Sequence, residues 1–232
     1  MRVKKITIAI DGHSSTGKGT LAKQLAKTLE YLYVDSGAMY RAITLYALEN
    51  SYLSADKFDK NGLIKSLDKL KLEFKTDAKK KTSVFINDQL VSSKIRGIQV
   101  SNMVSSVAAV AEIRKSLVKK QRHMGRNKGI VMDGRDIGTV VFPDAELKIF
   151  MTASAEIRAL RRFDQMSKND SSIDYKAVYD NIVSRDEKDS SRQDSPLKQA
   201  KDAIILDNSK LSKDQQFHIA MSWVKSRVNK LI

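Results

Sequence analysis

One stretch near the start of the chain decides the predicted fold: Ile6-Thr7-Ile8-Ala9-Ile10-Asp11-Gly12-His13-Ser14-Ser15-Thr16-Gly17-Lys18-Gly19-Thr20. Its first five residues are apolar or β-branched, which is typical of a buried strand. A loop bounded by two glycines follows, and then Leu21, Leu25 and Leu29 recur at the spacing of one helix face. Strand, glycine loop and helix in this order are the context of a phosphate-binding loop.

This loop has the residue types that bind an anion. Gly12 and Gly17 can adopt backbone angles that other residues avoid, so the loop can curve around a phosphate. The positive end of the following helix dipole would lie beneath the phosphate, and Lys18 can reach the outer phosphates. We therefore predict a phosphate-binding site along the whole loop, which the kinase resemblance described below implies is the ATP site: Gly12, His13, Ser14, Ser15, Thr16, Gly17, Lys18, Gly19 and Thr20.

The residue after the lysine departs from the usual pattern. A serine or threonine that ligates magnesium commonly stands there, whereas here Gly19 intervenes and Thr20 comes one position later. Gly-Lys-Gly-Thr resembles the nucleoside monophosphate kinases, and this resemblance implies that nucleotide phosphates and water hold most of the Mg²⁺. We predict no certain protein-made metal site. Asp133, at the end of a predicted strand, could hold a magnesium-bound water.

Composition excludes several classes of function. The chain has 232 residues, of which 41% are hydrophobic and 30% charged, and this suits one large domain or one domain with inserts. It has no cysteine, so disulfides, thiolate metal sites and cysteine nucleophiles are excluded. We find no apolar run of about 18 residues and no signal peptide, and we expect a cytoplasmic protein without membrane contact.

The formal net charge is +15, which by itself would indicate a nucleic-acid partner. Most of the surplus is scattered lysine, with one short run at Lys79-Lys80-Lys81. No platform of alternating aromatic and basic residues accompanies it. A basic surface that attracts anionic nucleotides accounts for the charge, so we expect no nucleic acid as a partner.

Four further strands are predicted from short apolar runs, at 31–34, 130–133, 147–151 and 203–207. Segments with helical spacing separate them, and Asp35 or Ser36 can cap the helix that follows the strand at 31–34. Strands that alternate with helices favour a parallel sheet covered by helices on both faces. We therefore predict an α/β phosphate-loop fold of three layers with a central parallel five-stranded sheet.

Two segments interrupt this alternation. Residues 62–95 read as a helix, indicated by Leu63, Leu67 and Leu70, followed by antiparallel strands with a turn at Asn87-Asp88. We interpret this segment as an insert. Residues 156–192 carry many charges of both signs and few apolar residues. An exposed helix pair with ion pairs has this pattern, but we favour a lid whose arginines close onto phosphates: Arg158, Arg161 and Arg162. The core domain would comprise residues 1–61, 96–155 and 193–232.

Three stretches together resemble the bacterial cytidylate kinases: residues 12–20, Asp35-Ser36-Gly37-Ala38-Met39-Tyr40-Arg41, and Asp133-Gly134-Arg135-Asp136-Ile137-Gly138-Thr139-Val140-Val141-Phe142-Pro143-Asp144-Ala145. The last stretch is specific to that family, and the likeness runs from about Ile6 to the end of the chain. The insert resembles the family's enlarged monophosphate-binding domain. His13 departs from the proline common at its position, and we expect little effect from this change.

The resemblance implies a reaction. The γ-phosphoryl group of ATP would pass to CMP or dCMP, giving ADP and CDP or dCDP, with Mg²⁺ bound to ATP and with a monomeric enzyme. The acceptor is a phosphate oxygen that is already ionised near pH 7, so we assign no general base. Alignment and charge neutralisation would then supply the catalysis, from Lys18, Arg41, Arg135 and Arg192.

The resemblance also implies a site for CMP. Cytosine has an amino donor at N4, which a carboxylate such as Asp136 accepts, while Arg114 and Ser105 could donate to N3 and O2. Uracil has an acceptor in place of the amino group, a mismatch worth about 1–3 kcal/mol when buried. The other predicted contacts are Arg41, Arg135 and Arg192 with the phosphate, Arg185 and Asp189 with the ribose, and Ser36 and Tyr40 along the pocket.

Three alternatives stay open at this point. A kinase of the same fold could act on AMP, UMP or shikimate, and Arg114, Asp136 and the insert argue against it. A basic nucleic-acid-binding protein could carry the same loop, and it would show steeply salt-dependent binding. A regulatory GTPase would need a guanine-reading Asn-Lys-x-Asp stretch, which the sequence lacks.

Overall fold

The computed structural model describes residues 4–76, 82–168 and 172–229. The elements follow in the order β1 (Thr7–Gly12), α1 (Lys18–Leu29), β2 (Leu32–Asp35), α2 (Ser36–Glu49), α3 (Lys60–Ser66), β3 (Leu72–Thr76), β4 (Thr82–Ile86), β5 (Gln89–Leu90), α4 (Ile98–Ala108), α5 (Ala111–Gly125), β6 (Ile130–Gly134), β7 (Leu147–Thr152), α6 (Ala155–Ser167), α7 (Tyr175–Ser191), β8 (Ile204–Asp207) and α8 (Lys213–Asn229). The run Lys79-Lys80-Lys81 lies outside the described residues.

A five-stranded sheet has the order β2-β6-β1-β7-β8. Strand β1 lies in its centre and pairs in parallel with β6 and β7, and β7 pairs in parallel with β8. All residues of β1 and β6 are buried, as expected for strands covered on both faces. The prediction of an α/β fold with a central parallel five-stranded sheet is confirmed.

The chain divides into two compact units, and the boundary falls within β2. The first unit comprises Met1–Tyr33 and Gly125–Ile232, and the second comprises Val34–Met124. Each has its own apolar core. In the first unit the core is built from β1, α1, β6, β7 and α8, and in the second from α2, the strands β3 and β4, and helices α4 and α5.

The segment predicted to hold a helix and antiparallel strands contains α3 and a three-stranded antiparallel sheet, β3-β4-β5. Helix α3 ends at Ser66, and a short 3₁₀ turn continues to Lys69, so the leucine spacing at 63, 67 and 70 spans two kinds of helix. The predicted turn at Asn87-Asp88 is present, and both residues have positive φ, as a two-residue hairpin turn requires. No helix among the described residues is long and apolar enough to cross a membrane.

Candidate active site

The glycine-bounded loop joins the end of β1 to the first turn of α1. Gly12 has φ 146°, and a Cβ at this position would lie 2.2 Å from the carbonyl oxygen of Met151 on the neighbouring strand, so only glycine fits. Ser15 and Gly17 also have positive φ, of 61° and 92°. Ser15 and Gly17 flank Thr16, and their left-handed backbone conformations give the loop its tight curve. Helix α1 then begins at Lys18, with the positive end of its dipole towards the loop.

Lys18 is buried at the base of this loop, with 5% of its surface exposed. Its Nζ donates to the carbonyl oxygen of His13 at 2.5 Å and lies 3.4 Å from the hydroxyl of Thr16. Burial, and next the positive charge of Arg135, lower the pKa of Lys18 to about 7, while the charge of Asp133 opposes this shift. The ammonium group is therefore held close to the loop. Its surroundings disfavour the positive charge, and a bound phosphate would stabilise that charge.

Asp133, the residue considered for a magnesium-bound water, lies at the carboxyl end of β6 and is buried. It accepts a hydrogen bond of 2.9 Å from the hydroxyl of Tyr33. A Cβ at Gly19 would lie 3.9 Å from both of its carboxylate oxygens and 3.3 Å from the Tyr33 hydroxyl. The carboxylate therefore borders the first turn of α1, and a larger side chain at position 19 would crowd Tyr33. Thr20 is exposed.

Arg135 follows β6 and pairs with Asp189 of α7, with 2.7 Å between Nε and Oδ2. Nη1 of Arg192 lies 3.7 Å from the other carboxylate oxygen. Burial raises the pKa of Asp189, but Arg135 and Arg192 outweigh burial and hold it below the ordinary value. The structure thus brings three of the predicted acceptor residues together, and Arg185 also acts on Asp189 electrostatically. Asp136, beside Arg135 in sequence, is buried.

The predicted lid arginines lie on α6, which packs against α7. Arg158 is buried, donates to the carbonyl oxygen of Ala153 and pairs with Asp186 of α7 at 2.6 Å. Asp186 also lies 3.2 Å from Nδ1 of His13 in the loop. Arg161 donates to Asn208, and Arg162 donates to Gln165 on the exposed face of the helix. Arg158 and Arg161 therefore contact residues of the first unit that adjoin the loop.

The second unit carries the remaining predicted CMP residues. Asp35 caps α2 by accepting from the backbone N–H of Ala38 at 2.9 Å, as the sequence allowed, and it pairs with Arg41 at 2.7 Å. Burial raises the pKa of Asp35, but the charge of Arg41 and the cap outweigh it and the pKa is lowered. A Cβ at Gly37 would lie 3.0 Å from Nη1 of Arg41, so the glycine leaves room for the pair. Ser36 is buried in the first turn.

Arg114 and Tyr40 contact each other within this second unit. The guanidinium carbon of Arg114 lies 5.4 Å from the centre of the Tyr40 ring, which is a cation–π distance. Nη1 of Arg114 donates to the carbonyl oxygen of Ala108 at 2.9 Å. Both side chains are buried, and Ser105 on α4 is half-buried. The stacked ring and the carbonyl therefore fix the direction of the guanidinium group.

With this geometry in place, comparison with known proteins identifies the family. The model of the family described as cytidylate kinase matches residues 8–226. The chain belongs to the cytidylate kinase family. The resemblance found in the sequence is confirmed, as is the assignment of the chain to the nucleoside monophosphate kinases, which are phosphotransferases.

Relatives of this kinase match over almost its whole length. It is 58% identical to the cytidylate kinase of Flavobacterium psychrophilum over 225 residues, covering 97% of this chain and 100% of that protein. It is 46% identical to the cytidylate kinase of Parabacteroides distasonis, covering 99% of each. Among solved structures, an uncharacterized protein from Eubacterium ventriosum superposes with a TM-score of 0.53 at 12% identity, covering 96% of this chain and 99% of that one. This last likeness concerns the fold alone.

Three residues that contact the candidate site were not singled out from the sequence: Asp11, Asp186 and Asn208. Asp11 ends the first strand directly before Gly12, and an acidic residue at the carboxyl end of a central strand is the signal that could have indicated it. Asp186 lies among many charges on α7, and Asn208 follows β8. Their partners lie far away in the sequence, so local patterns carry little information about them.

Asp11 connects the end of β1 to the turn after β6. Its two carboxylate oxygens accept backbone N–H groups of Ile137 and Gly138 at 2.8 and 2.7 Å. These residues begin a π-helical turn at Ile137–Val141, which the sequence did not predict. Burial raises the pKa of Asp11 to about 6, although both hydrogen bonds act to lower it. Asp11 therefore fixes the segment that follows Arg135.

Replacing Asp11 by Asn is expected to change how stability depends on pH. Because the folded pKa of about 6 exceeds the ordinary 3.8, the folded protein binds more protons than the unfolded chain between these values, and the contribution of Asp11 to the free energy of unfolding falls as pH rises. The stability of the natural protein relative to Asp11→Asn should therefore decline by about 2 kcal/mol from pH 4 to 6.5. Urea unfolding at several pH values measures it.

The control for this experiment is Asp56→Asn, an amide substitution at an exposed carboxylate. Its stability relative to the natural protein should stay nearly constant over the same range. A pH profile of Asp11→Asn parallel to that of the natural protein would contradict the raised pKa of Asp11.

Proposed function

We propose that this kinase transfers the γ-phosphoryl group of ATP to CMP or dCMP, giving ADP and CDP or dCDP. One observation carries the proposal. Lys18 of the loop, Asp133 and Arg135 act on one another electrostatically in the first unit, so the predicted donor loop and a predicted acceptor arginine belong to one charged site. Membership of the cytidylate kinase family supports the choice of acceptor.

ATP binding is assigned to the loop at residues 12–20. Three positive-φ residues give it the curve that a phosphate requires, and α1 begins at its end, so the backbone N–H groups at the start of the helix and the helix dipole favour an anion there. Lys18 supplies the full positive charge. A bound phosphate would replace the carbonyl of His13 as the partner of Nζ.

The acceptor contacts follow the family resemblance. By this resemblance, Arg41, Arg135 and Arg192 would neutralise the CMP phosphate, since a guanidinium group binds phosphate through two donors. In the first unit, Arg135 and Arg192 meet at Asp189, which supports this role. The ribose would contact Arg185 and Asp189, the cytosine would contact Asp136, Arg114 and Ser105, and Ser36 and Tyr40 would line the pocket.

The reaction needs no general base in this proposal. The attacking atom is a phosphate oxygen without a proton to remove, so the protein contributes alignment and stabilisation of negative charge. Lys18, Arg41, Arg135 and Arg192 are the catalytic residues. Arginines on rigid elements need little rearrangement when charge develops on the transferring group.

Magnesium is proposed as the ion that enters with ATP. Within residues 4–76, 82–168 and 172–229, no group of three or more His, Asp or Glu side chains could hold a metal ion. The single carboxylate of Asp133 beside α1 fits an ion that takes most of its ligands from phosphates and water. Mg²⁺ would neutralise charge on the phosphates, and Asp133 would hold one of its water molecules.

The domain roles also stay proposals. We assign residues 62–95 to monophosphate binding, 156–192 to the lid and 1–61, 96–155 and 193–232 to the core. Closure of the lid over bound nucleotides would exclude water and so prevent hydrolysis of ATP. The enzyme would act as a monomer on ATP, CMP and dCMP.

The experiment that tests the function offers CMP, dCMP, UMP, AMP and shikimate separately with Mg·ATP and measures ADP production. We expect fast turnover with CMP and dCMP and much slower turnover with UMP. Asp136→Asn should raise kcat/KM for UMP relative to CMP by about tenfold, because an amide can donate to the uracil oxygen where a carboxylate repels it.

Each alternative outcome has a definite reading. Equal turnover of UMP and CMP by the natural enzyme would keep the kinase and contradict recognition of cytosine by Asp136. Fast turnover of AMP or shikimate, without turnover of CMP or dCMP, would contradict the proposal that CMP or dCMP is the acceptor. An Asp136→Asn enzyme with an unchanged UMP-to-CMP ratio would remove Asp136 from the base site.

A further inference from the structure

Asn208 stands directly after β8, and only 1% of its surface is exposed. Its side-chain Nδ2 donates to the carbonyl oxygen of Thr16 in the phosphate loop at 2.5 Å and to Oε1 of Gln216 on α8 at 2.9 Å. Its Oδ1 accepts from Nη1 of Arg161 on α6 at 3.0 Å. Both ends of the amide are therefore engaged, and one of the bonds ends on the loop.

The backbone of Asn208 is fixed as firmly as its side chain. Its N–H donates to the carbonyl oxygen of Thr152 at the end of β7 at 3.0 Å, and its carbonyl oxygen accepts from Nη2 of Arg161 at 2.9 Å. Arg161 thus holds Asn208 by two hydrogen bonds. Because the neighbouring strand β7 and the helices α6 and α8 hold this residue, it offers the loop a rigid support.

The bond to Thr16 holds the loop between two residues that have positive φ. Thr16 is completely buried and lies between Ser15 and Gly17, which both have positive φ. For serine this conformation is unfavourable and persists only where the surroundings impose it. A Cβ at Gly17 would lie 3.4 Å from Nδ2 of Asn208, so the loop also packs directly on the amide.

The bond also sets the direction of a donor. The carbonyl of Thr16 and the N–H of Gly17 belong to one planar trans peptide unit, so they point in opposite directions. Since the carbonyl points to Asn208, the N–H of Gly17 points away from it. Rotation of this peptide would turn a carbonyl oxygen towards the side where the donor stood, which would repel an anion.

We propose that Asn208 is a positioning residue for the donor phosphates: it fixes the peptide between Thr16 and Gly17 and so keeps the loop ready for the anion. The inference rests on the proposed role of the loop in ATP binding. Asn208 itself need not touch ATP. Arg161 and the acceptor oxygen of Gln216, which Gln216→Glu retains, hold Asn208 in place, and the effect reaches the phosphates through the loop.

The test compares two substitutions of the same chemical kind. Asn208→Asp keeps the shape and the acceptor for Arg161 but removes the donor to Thr16 and places a carboxylate against its carbonyl oxygen. The matched control, Gln216→Glu, keeps the acceptor for Asn208 and has no bond to the loop. Calorimetry measures the binding of ATP and of inorganic tripolyphosphate without acceptor, and thermal unfolding is measured for each protein.

We expect Asn208→Asp to weaken binding of both ATP and tripolyphosphate at least tenfold, while Gln216→Glu stays within twofold. The KM for CMP should stay within twofold in both variants, and the backbone amide signal of Gly17 in an NMR spectrum should move only in Asn208→Asp. A merely structural residue would change the unfolding midpoint without this separation. Should Asn208→Asp fail to fold, Asn208→Ala must weaken ATP binding in the same direction by severalfold.

Unchanged binding of ATP by Asn208→Asp, or an equal loss in Gln216→Glu, would overturn the inference. The failure of the proposed function looks different. If the natural protein binds ATP but does not phosphorylate CMP, the acceptor is wrong, while weaker binding by Asn208→Asp still supports the role of Asn208. If the natural protein binds neither ATP nor tripolyphosphate, both proposals are contradicted.

Discussion

Lys18→Met is expected to lower turnover at least a hundredfold while the protein stays folded. The substitution keeps the length and apolar stem of the side chain and removes the charge that would stabilise the transferring phosphoryl group. One such interaction with a developing charge is worth about 10²–10³ in kcat. ADP production from Mg·ATP and CMP measures the loss.

The free energy of unfolding of Lys18→Met is not expected to fall with its turnover. Burial lowers the pKa of Lys18 to about 7, so the folded protein binds fewer protons than the unfolded chain between about pH 7 and the ordinary 10.5. The contribution of Lys18 to the free energy of unfolding therefore rises with pH through this window. Lys18→Met lacks this dependence, so any stability that it gains over the natural protein should be largest below pH 7.

Lys27→Met is the matched control, because Lys27 is an exposed residue of the same helix. It should change neither turnover nor the pH dependence of stability appreciably. A Lys18→Met protein that unfolds at a much lower temperature than the natural one would show that Lys18 stabilises the fold. A folded variant with full turnover would remove Lys18 from the catalytic residues.

The sheet was predictable because its signals are local. A strand such as β1 is buried on both faces, so almost every residue in it is apolar or β-branched. The loop was predictable for a similar reason, since Gly12 meets a neighbouring backbone at a distance that excludes any side chain. Such a steric requirement restricts the residue type at the position where it acts, so the sequence itself indicates it.

The supports of the site were not predictable, because they depend on pairs far apart in the chain. Asp11 binds N–H groups of residues 137 and 138, and Asn208 binds the carbonyl oxygen of Thr16. An aspartate at the end of a strand or an asparagine after one is also typical of an ordinary turn. The contact between His13 and Asp186 is a further case, since His13 looked like a loop residue of little consequence.

Helix ends were predictable only in part. Asp35 at the start of α2 was identified as a possible cap because aspartate has the acceptor that a free N–H needs. The leucines at 63, 67 and 70 indicated one helix, but α3 ends at Ser66 and all three positions still face the core or its edge. Hydrophobic spacing determines which face is buried, and it leaves the kind of helical turn open.

Arg135→Ala should reduce turnover at least a hundredfold, and it should also destabilise the protein. Arg135 is proposed to bind the CMP phosphate, and in the structure its Nε lies 2.7 Å from Asp189. Without it, the buried carboxylate of Asp189 loses its 2.7 Å partner and keeps Arg192 at 3.7 Å and the charge of Arg185. A buried charge that loses a hydrogen-bonded partner costs about 1–3 kcal/mol or more.

The sign of the pH dependence follows from Asp189. Burial raises its pKa, but Arg135 and Arg192 outweigh burial and hold the pKa below the ordinary value. Its ion pairs therefore contribute stability above pH 4, and this contribution is lost as pH falls through the folded pKa. Arg135→Ala should accordingly be less stable than the natural protein at pH 7, and the difference should shrink towards pH 3.

A second substitution separates the two roles of Arg135. Asp189→Asn in the Arg135→Ala background removes the buried charge that has lost its hydrogen-bonded partner, so the double variant should regain most of the lost stability. Turnover should stay low, because the amide restores no positive charge for the phosphate. Arg126→Ala, at an exposed arginine of the same unit, is the control and should leave both quantities unchanged.

Unfolding in urea and ADP production are measured on the natural protein, Arg135→Ala, the double variant and Arg126→Ala. Together the two measurements distinguish the roles of Arg135. Recovery of stability without turnover would separate the pairing of Arg135 with Asp189 from its action on the substrate. Recovery of both would mean that Arg135 acts only by neutralising Asp189, and the phosphate contact would have to be assigned to the other arginines. Full turnover in Arg135→Ala itself would contradict the proposed acceptor site, because Arg135 is the predicted acceptor arginine whose charge acts on Lys18.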